Sequence, residues 1–356
     1  MNLEQNTSVL PPIYIEMPTK RSNADKLPFV PESINPSVVG YTQNFIKNAP
    51  YRKTSKGTLG LRKTTVDNYK NFLLHFENFE KWAGAKPILF SELNRPRVDA
   101  FTQWLLEAQN FSENHTGRLL GTLKTLAVDA KKNEVAVHVY IQHVTGFAQQ
   151  SQQRILNILT FEDLKKIEAA LLKKKHLINT QRWLIIGFWI GQRVSDLLVL
   201  GQNQLREAPN GGIYVDIVQQ KTGKKVTIGV IDPNALDILR NHFPKRIYAP
   251  RFNKYLKQVL EVAGINHMVK GFKFNPKTQR KELGIFPKYS VISSHDLRRS
   301  FATNFFGKIP TPVLMEMTGH SREATFMFYI GRDPNRDAFA DRFMEGVLKI
   351  QSGVGI

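Results

Sequence analysis

The chain has 356 residues, 42% of them hydrophobic, a formal net charge of +20 and no cysteine. That length allows more than one core, the lack of cysteine removes disulfides and thiolate or cysteine–zinc chemistry, and no apolar run approaches the roughly 20 residues of a membrane-spanning helix. The positive surplus makes a polyanion the expected partner, nucleic acid ahead of an anionic membrane surface.

Residues 1–36 are polar, carry prolines at 11, 12, 18, 28, 31 and 36, and show no sustained period. An extended or disordered arm is expected there. The first stretch, MNLEQNTSVLPPIYIE, lacks the basic and apolar regions of a secretory signal, so a cytoplasmic location is expected. Residues 37–148 have a helical period throughout. Lys47, Arg52, Lys53, Lys56, Arg62 and Lys63 crowd into residues 47–63 without one acid, a candidate DNA-binding cluster. Thr64 or Thr65 can cap a helix with Tyr69, Phe72, Leu73, Phe76 and Phe79 on one face and Gly84 as its stop. A second helix is expected over Asn94 to Gln109 and a third after Ser112, where Leu119, Leu120, Leu123, Leu126 and Ala127 recur at three and four. These stripes need one another, which predicts a small helical bundle. The polar segment 143–154 is the candidate linker.

A second domain is expected from Ile155. Thr160 and Asp163 form a capping-box start, and residues 181–200 are strongly apolar, interrupted by Gly187 and Gly191. The period then changes to two: Ile213, Val215 and Ile217 answer Val226, Ile228 and Val230 across a Lys-Thr-Gly turn, which predicts a β-hairpin. Helices are expected to resume at Pro233, broken by a basic loop around 264–290. Residues 245–281 hold ten Lys or Arg, Lys254 and Lys257 among them, against Glu261 alone. The expected class is mainly α with a small β-sheet.

Six side chains stand out in this second half. Arg193 follows Gly191 at a helix break, with Asp196 a turn later to pair with its guanidinium. Lys221 lies at the hairpin tip. Ser293 and Asp296 start a helix that puts His295 and Arg298 on one face near unpaired backbone N–H groups, a ready anion site. Gly319 stops the helix begun at Thr311-Pro312, His320 follows, and Tyr329 comes nine positions later. Each has an ordinary reading by itself: a solvated base, a surface ion pair, a helix cap, a core aromatic.

Together, Arg193, Lys221, His295-x-x-Arg298, His320 and Tyr329 stand in the order and spacing of the tyrosine recombinases, the phage-type integrases. The surrounding GQRVSDL, KTG, HDLRRSFAT and GHS segments resemble that family too, with Gln192 where relatives often carry leucine. The resemblance is specific over 155–332 and looser over 37–148. It implies a helical, SAM-like core-binding domain at 37–148 and an α+β catalytic domain at 155–332. A tail at 333–356, striped by Phe339, Phe343, Val347 and Ile350, would pack in cis or on a neighbouring protomer. The implied activity is cleavage and rejoining of double-stranded DNA, with Tyr329 as nucleophile and a 3′-phosphotyrosyl intermediate. No metal, ATP or other cofactor is implied. A homotetramer on recombination sites, DNA-bending accessory proteins and a prokaryotic or mobile-element origin would accompany it. The rival readings are a type IB-like topoisomerase and a non-catalytic DNA-binding protein of the same fold.

Overall fold

The computed structural model describes residues 35–54, 57–84, 86–147, 155–330 and 336–351, which divide into two compact units at Gln150 and Ser151. Residues 1–34 of the expected arm, Lys56, residues 148–154 of the candidate linker and residues 333–335 and 352–356 of the expected tail lie outside them. Both units are mostly helical, with small antiparallel sheets in the second. No helix among the described residues is long and apolar enough to cross a membrane.

In the first unit, α1 (Val38–Lys47), α2 (Lys63–Trp82), α3 (Arg95–Gln103) and α4 (Glu113–Lys132) bring their apolar stripes together. Side chains of Ser37, Asn94 and Ser112 accept from first-turn N–H groups of α1, α3 and α4. The core is aromatic: the Phe101 ring lies 5.0 Å from both Phe76 and Phe79. A π-helical turn, Trp104–Ala108, extends α3 and fills the rest of the predicted second helix. Helix α2 differs from expectation. Its cap is Arg62, without a side-chain capping bond to the helix, because Gly60 and Leu61 donate to the Arg52 and Ala49 carbonyls and helical geometry sets in one residue before Thr64. The start of the candidate linker is not a free spacer either, since Val144 is buried in this core.

The second unit is organised on α6 (Lys175–Ile190), whose Trp183, Leu184, Ile186, Phe188 and Ile190 are almost fully buried. Helix α5 (Phe161–Ala169) begins with the predicted Thr160–Asp163 capping box. Gly187 does not interrupt α6. It admits Leu197 and Leu297 instead, either of which would crowd a Cβ at about 3 Å. After α7 (Val194–Leu197) come β1 (Leu205–Glu207), β2 (Ile213–Val218) and β3 (Lys225–Val230), in sheet order β1-β2-β3. The β2–β3 register pairs Ile213 with Val230, Val215 with Ile228 and Ile217 with Val226, the apolar alternation read in the sequence.

Beyond α8 (Pro233–Asn241) and α9 (Ala249–Val262), the region expected as a basic loop is a second hairpin, β4 (Met268–Asn275) with β5 (Arg280–Pro287). Its Phe272, Phe274, Leu283 and Ile285 are exposed and lysines interleave with them, so no buried face marks the period. The chain then forms α10 (Lys288–Val291), α11 (Ser294–Phe305), α12 (Thr311–Thr318), α13 (Glu323–Ile330) and α14 (Arg336–Gln351). Phe301, Ala302, Phe306, Leu314, Phe326 and Ile330 make a small separate core that fixes α13 against α11 and α12. In the tail helix, Phe343 is exposed, and the side chains of Phe339 and Ile350 lie outside the description.

Candidate active site

Two helices of the second unit end in left-handed glycines, and each turn delivers a candidate side chain. Gly191 (φ 60°) ends α6 just before Arg193, and Gly319 (φ 68°) ends α12 just before His320. A Cβ at Gly191 would meet the Phe301 ring at 2.5 Å, and one at Gly319 would meet the Gln219 amide at 2.5 Å. Both positions therefore need glycine for dihedral and for space.

Helix α11 supplies the next pair. The Ser293 N–H and hydroxyl both donate to Asp296 Oδ2, at 2.8 and 2.7 Å, closing the predicted start. The Ser294 N–H donates to Asn253 Oδ1 at 2.8 Å, so the protein's own acceptors already use part of the expected anion site. Arg298 is 1% exposed, yet its guanidinium meets neutral acceptors: the Gly191 carbonyl at 3.4 Å and the Thr318 carbonyl. His320 Nε2 lies 3.5 Å from the same guanidinium.

Helix α13 then carries Tyr329 into this cluster. Its ring centroid is 5.3 Å from His295 and 5.2 Å from His320, with the Arg298 and Arg299 guanidinium carbons 5.8 and 5.5 Å from the ring. The phenol donates to the His295 carbonyl over a long 3.4 Å, a weak tether that a closer acceptor can replace.

The charges shape each other. Burial, then the neighbouring Arg193, lowers Arg298 to about 10. Burial, then Arg298, Arg193 and Lys224, lowers His320 to about 4, so its imidazole is neutral near pH 7. Burial raises the Tyr329 phenol, opposed by Arg298 and Arg299. The His320 tautomer follows from its partner. The Thr318 hydroxyl gives its single proton to the Leu314 carbonyl at 2.6 Å, so the 2.8 Å contact with His320 Nδ1 requires an Nδ1–H donor. Nε2 is left as an acceptor, 3.5 Å from the Arg298 guanidinium.

Arg193, His295, Arg298, His320 and Tyr329 therefore share one pocket. Asp196 does not hold Arg193 as expected. Arg193 precedes α7 in extended backbone, where helical i,i+3 geometry does not apply, and its Nη1 donates to Gln219 Oε1 at 3.0 Å. Asp196 accepts from the Gln220 N–H at 2.9 Å, and its Oδ2 is buried without a hydrogen-bond partner. Lys221 is exposed on the β2–β3 turn, while nearby Lys224 is tied to Glu316 at 2.7 Å. Gln192, Gln219 and Thr318 were not singled out as site residues by sequence. The available signal was two glutamines standing directly after an apolar helix end and an apolar strand end.

Among the candidate DNA contacts, Lys47, Lys53, Arg62, Lys63 and Lys254 are exposed. Arg52 is not an open cation: it pairs with Asp129 and sits 3.8 Å over the Phe45 ring. Half-buried Lys257 donates to the Ser290 carbonyl at 2.6 Å, its pKa lowered by burial and by Lys273 and Lys281.

Comparison with known proteins places this geometry. The model of the phage integrase SAM-like domain matches residues 38–147, and that of the phage integrase family matches residues 157–336. No curated protein sequence matches. Among solved structures, a lambda integrase dimer bound to a COC′ core site superposes with TM-score 0.61 at 14% identity, over 84% of this chain and 97% of that one. A lambda integrase tetramer bound to a Holliday junction gives 0.58 at 14%, over 84% and 79%. The Tn1549 transposon integrase in complex with a circular intermediate DNA gives 0.55 at 12%, over 88% and 100%. At such identities the likeness is one of fold, whereas the family model spans 180 of the 356 residues and the whole pocket: the chain belongs to the phage integrase family of tyrosine recombinases.

Proposed function

We propose that this chain is a site-specific DNA recombinase that cleaves and rejoins strands through Tyr329. The phenolic oxygen attacks the scissile phosphorus as the bond to the 5′-oxygen breaks, leaving a 3′-phosphotyrosyl link and a 5′-hydroxyl. The phenolic proton passes to His320, whose neutral imidazole keeps Nε2 as an acceptor. Arg298 and Arg193 hold the non-bridging oxygens, and each such donor contributes about 100- to 1000-fold in rate. His295 adds a hydrogen bond, and Lys221, on its turn, protonates the departing 5′-oxygen. The phosphotyrosyl link conserves the bond energy, so rejoining needs no nucleotide.

The observation that carries this reading is the seating of the Tyr329 ring between two histidines, against two guanidinium groups. Family membership supports it, and so do relatives solved on DNA as a dimer and as a junction-bound tetramer. We extend to this chain a homotetramer on DNA, with Lys47, Lys53, Arg62, Lys63 and Lys254 gripping phosphates and affinity falling steeply with salt.

The test is a duplex from the flanks of the native element, nicked close to the site so that cleavage is trapped. The wild type should form a covalent adduct at one position, and Tyr329→Phe should form none while binding the duplex nearly as well. Trapping on unrelated duplexes would favour a topoisomerase, and binding without trapping a non-catalytic protein. An adduct that survives Tyr329→Phe would move the nucleophile elsewhere, Tyr289 being the next to test.

A further inference from the structure

We propose that Gln219 is a positioning residue for Arg193, and that its amide, bridged to Gln192, locks three separate chain segments of the pocket into one geometry. The inference rests on the recombinase reading above. Gln219 and Gln192 are 0% and 1% exposed. Gln219 Oε1 accepts from Arg193 Nη1 at 3.0 Å and from the Thr222 hydroxyl at 2.9 Å. Its Nε2 donates to Gln192 Oε1 at 2.9 Å and to the Thr318 carbonyl at 3.1 Å. Gln192 Nε2 donates in turn to the Ile190 and Met317 carbonyls, at 3.1 and 2.7 Å.

Gln219 thus uses both donor and both acceptor positions, and Gln192 uses both donors and accepts once, which is what makes a buried polar pair rigid rather than costly. The segments joined are the break between α6 and α7 that carries Arg193, the β2–β3 turn that carries Lys221, and the end of α12 that carries His320. The Thr318 carbonyl that Gln219 grips also accepts from Arg298. One side chain therefore touches the support of both arginines. Its chemistry suits the task. A carboxylate in its place would neutralise Arg193 and repel the phosphate, whereas an amide oxygen aims the guanidinium and leaves its charge for the substrate.

The experiment compares wild type and Gln219→Met on two nicked duplexes, one with the ordinary scissile phosphate and one with a neutral methylphosphonate there. A misplaced Arg193 matters most when there is phosphate charge to offset. Adduct formation by Gln219→Met should fall about 10- to 100-fold on the phosphate, the equivalent of one hydrogen bond to a charged group, and less than about 3-fold on the methylphosphonate. Duplex binding should be unchanged. Equal losses on both substrates would mean a merely structural role, and no loss would mean none; either overturns the proposal. Should Gln219→Met not fold, Thr222→Val decides, because it removes only the hydroxyl on the exposed turn. A loss of about 2- to 5-fold confined to the phosphate supports the proposal, and an unchanged rate overturns it. A wild type that never forms an adduct would sink the recombinase reading and this inference together, whereas a trapping wild type with an unaffected Gln219→Met sinks the inference alone.

Discussion

Arg52 in the first unit and Arg298 in the second show two ways to place a guanidinium against protein. Arg52 is partly exposed, lies over Phe45 and is neutralised by Asp129, which also accepts from the Tyr41 hydroxyl at 2.6 Å. Arg298 is more deeply buried and, among the described residues, has no carboxylate within ion-pair distance; carbonyls of Gly191 and Thr318 receive its protons. The first arrangement is closed, with charge matched inside the bundle. The second leaves a net positive charge in a desolvated pocket, which is costly unless an anion comes from outside. A buried cation held only by neutral acceptors carries a cost in stability that a bound anion would offset.

Swapping each arginine for methionine is the sharpest way to break that contrast. Arg298→Met should reduce adduct formation about 100- to 1000-fold, and its thermal midpoint should equal or exceed that of the wild type, because an unmatched buried charge is removed with little change in volume. A midpoint well below wild type would make Arg298 a structural residue like Arg52. Arg52→Met should do the reverse. It strips Asp129 of its cation and should lower stability by roughly 1–2 kcal/mol in denaturant unfolding, with cleavage of pre-bound duplex unchanged. Loss of chemistry in Arg52→Met at saturating protein would show the two arginines to be less different than their surroundings suggest.

The same contrast explains what could be read in advance. Helices α3 and α4, the β2–β3 register and the starts of α5 and α11 were legible because periodicity and capping are local signals, written into neighbouring residues. The order of Arg193, His295, Arg298, His320 and Tyr329 was legible through resemblance, and the fold then seats them in one pocket. What each arginine touches was not. Arg52 reaches Asp129 across 77 positions and Arg193 reaches Gln219 across 26, and no short window holds both partners. The Asp196 expectation failed for a local reason, since it assumed helical backbone at a residue that only precedes the helix. The β4–β5 hairpin escaped notice because its outward face exposes Phe272, Leu283 and Ile285, and a strand without a buried side lacks the alternation by which strands are recognised.

The smallest expected effect concerns histidine, and it extends the comparison to groups kept neutral in both units. His75 and His115 are lowered chiefly by burial, their rings 5.7 Å apart, while His320 is lowered to about 4 by burial and then by Arg298, Arg193 and Lys224. For such groups the unfolded chain binds the proton first. Between the ordinary histidine value of about 6.5 and the folded value, the unfolded state holds more protons, so stability rises with pH across that window and is lost as pH falls through it. Wild-type protein should therefore unfold progressively more easily from about pH 6.5 down towards pH 4. His320→Gln, which cannot take up that proton, should lose less stability over the same range, while the contribution of His75 and His115 persists in both proteins. The difference between the two melting curves isolates His320 from the pair in the bundle. Parallel curves would mean that burial and the neighbouring arginines do not suppress His320 protonation, and the neutral Nε2 acceptor assigned to it would have to be abandoned.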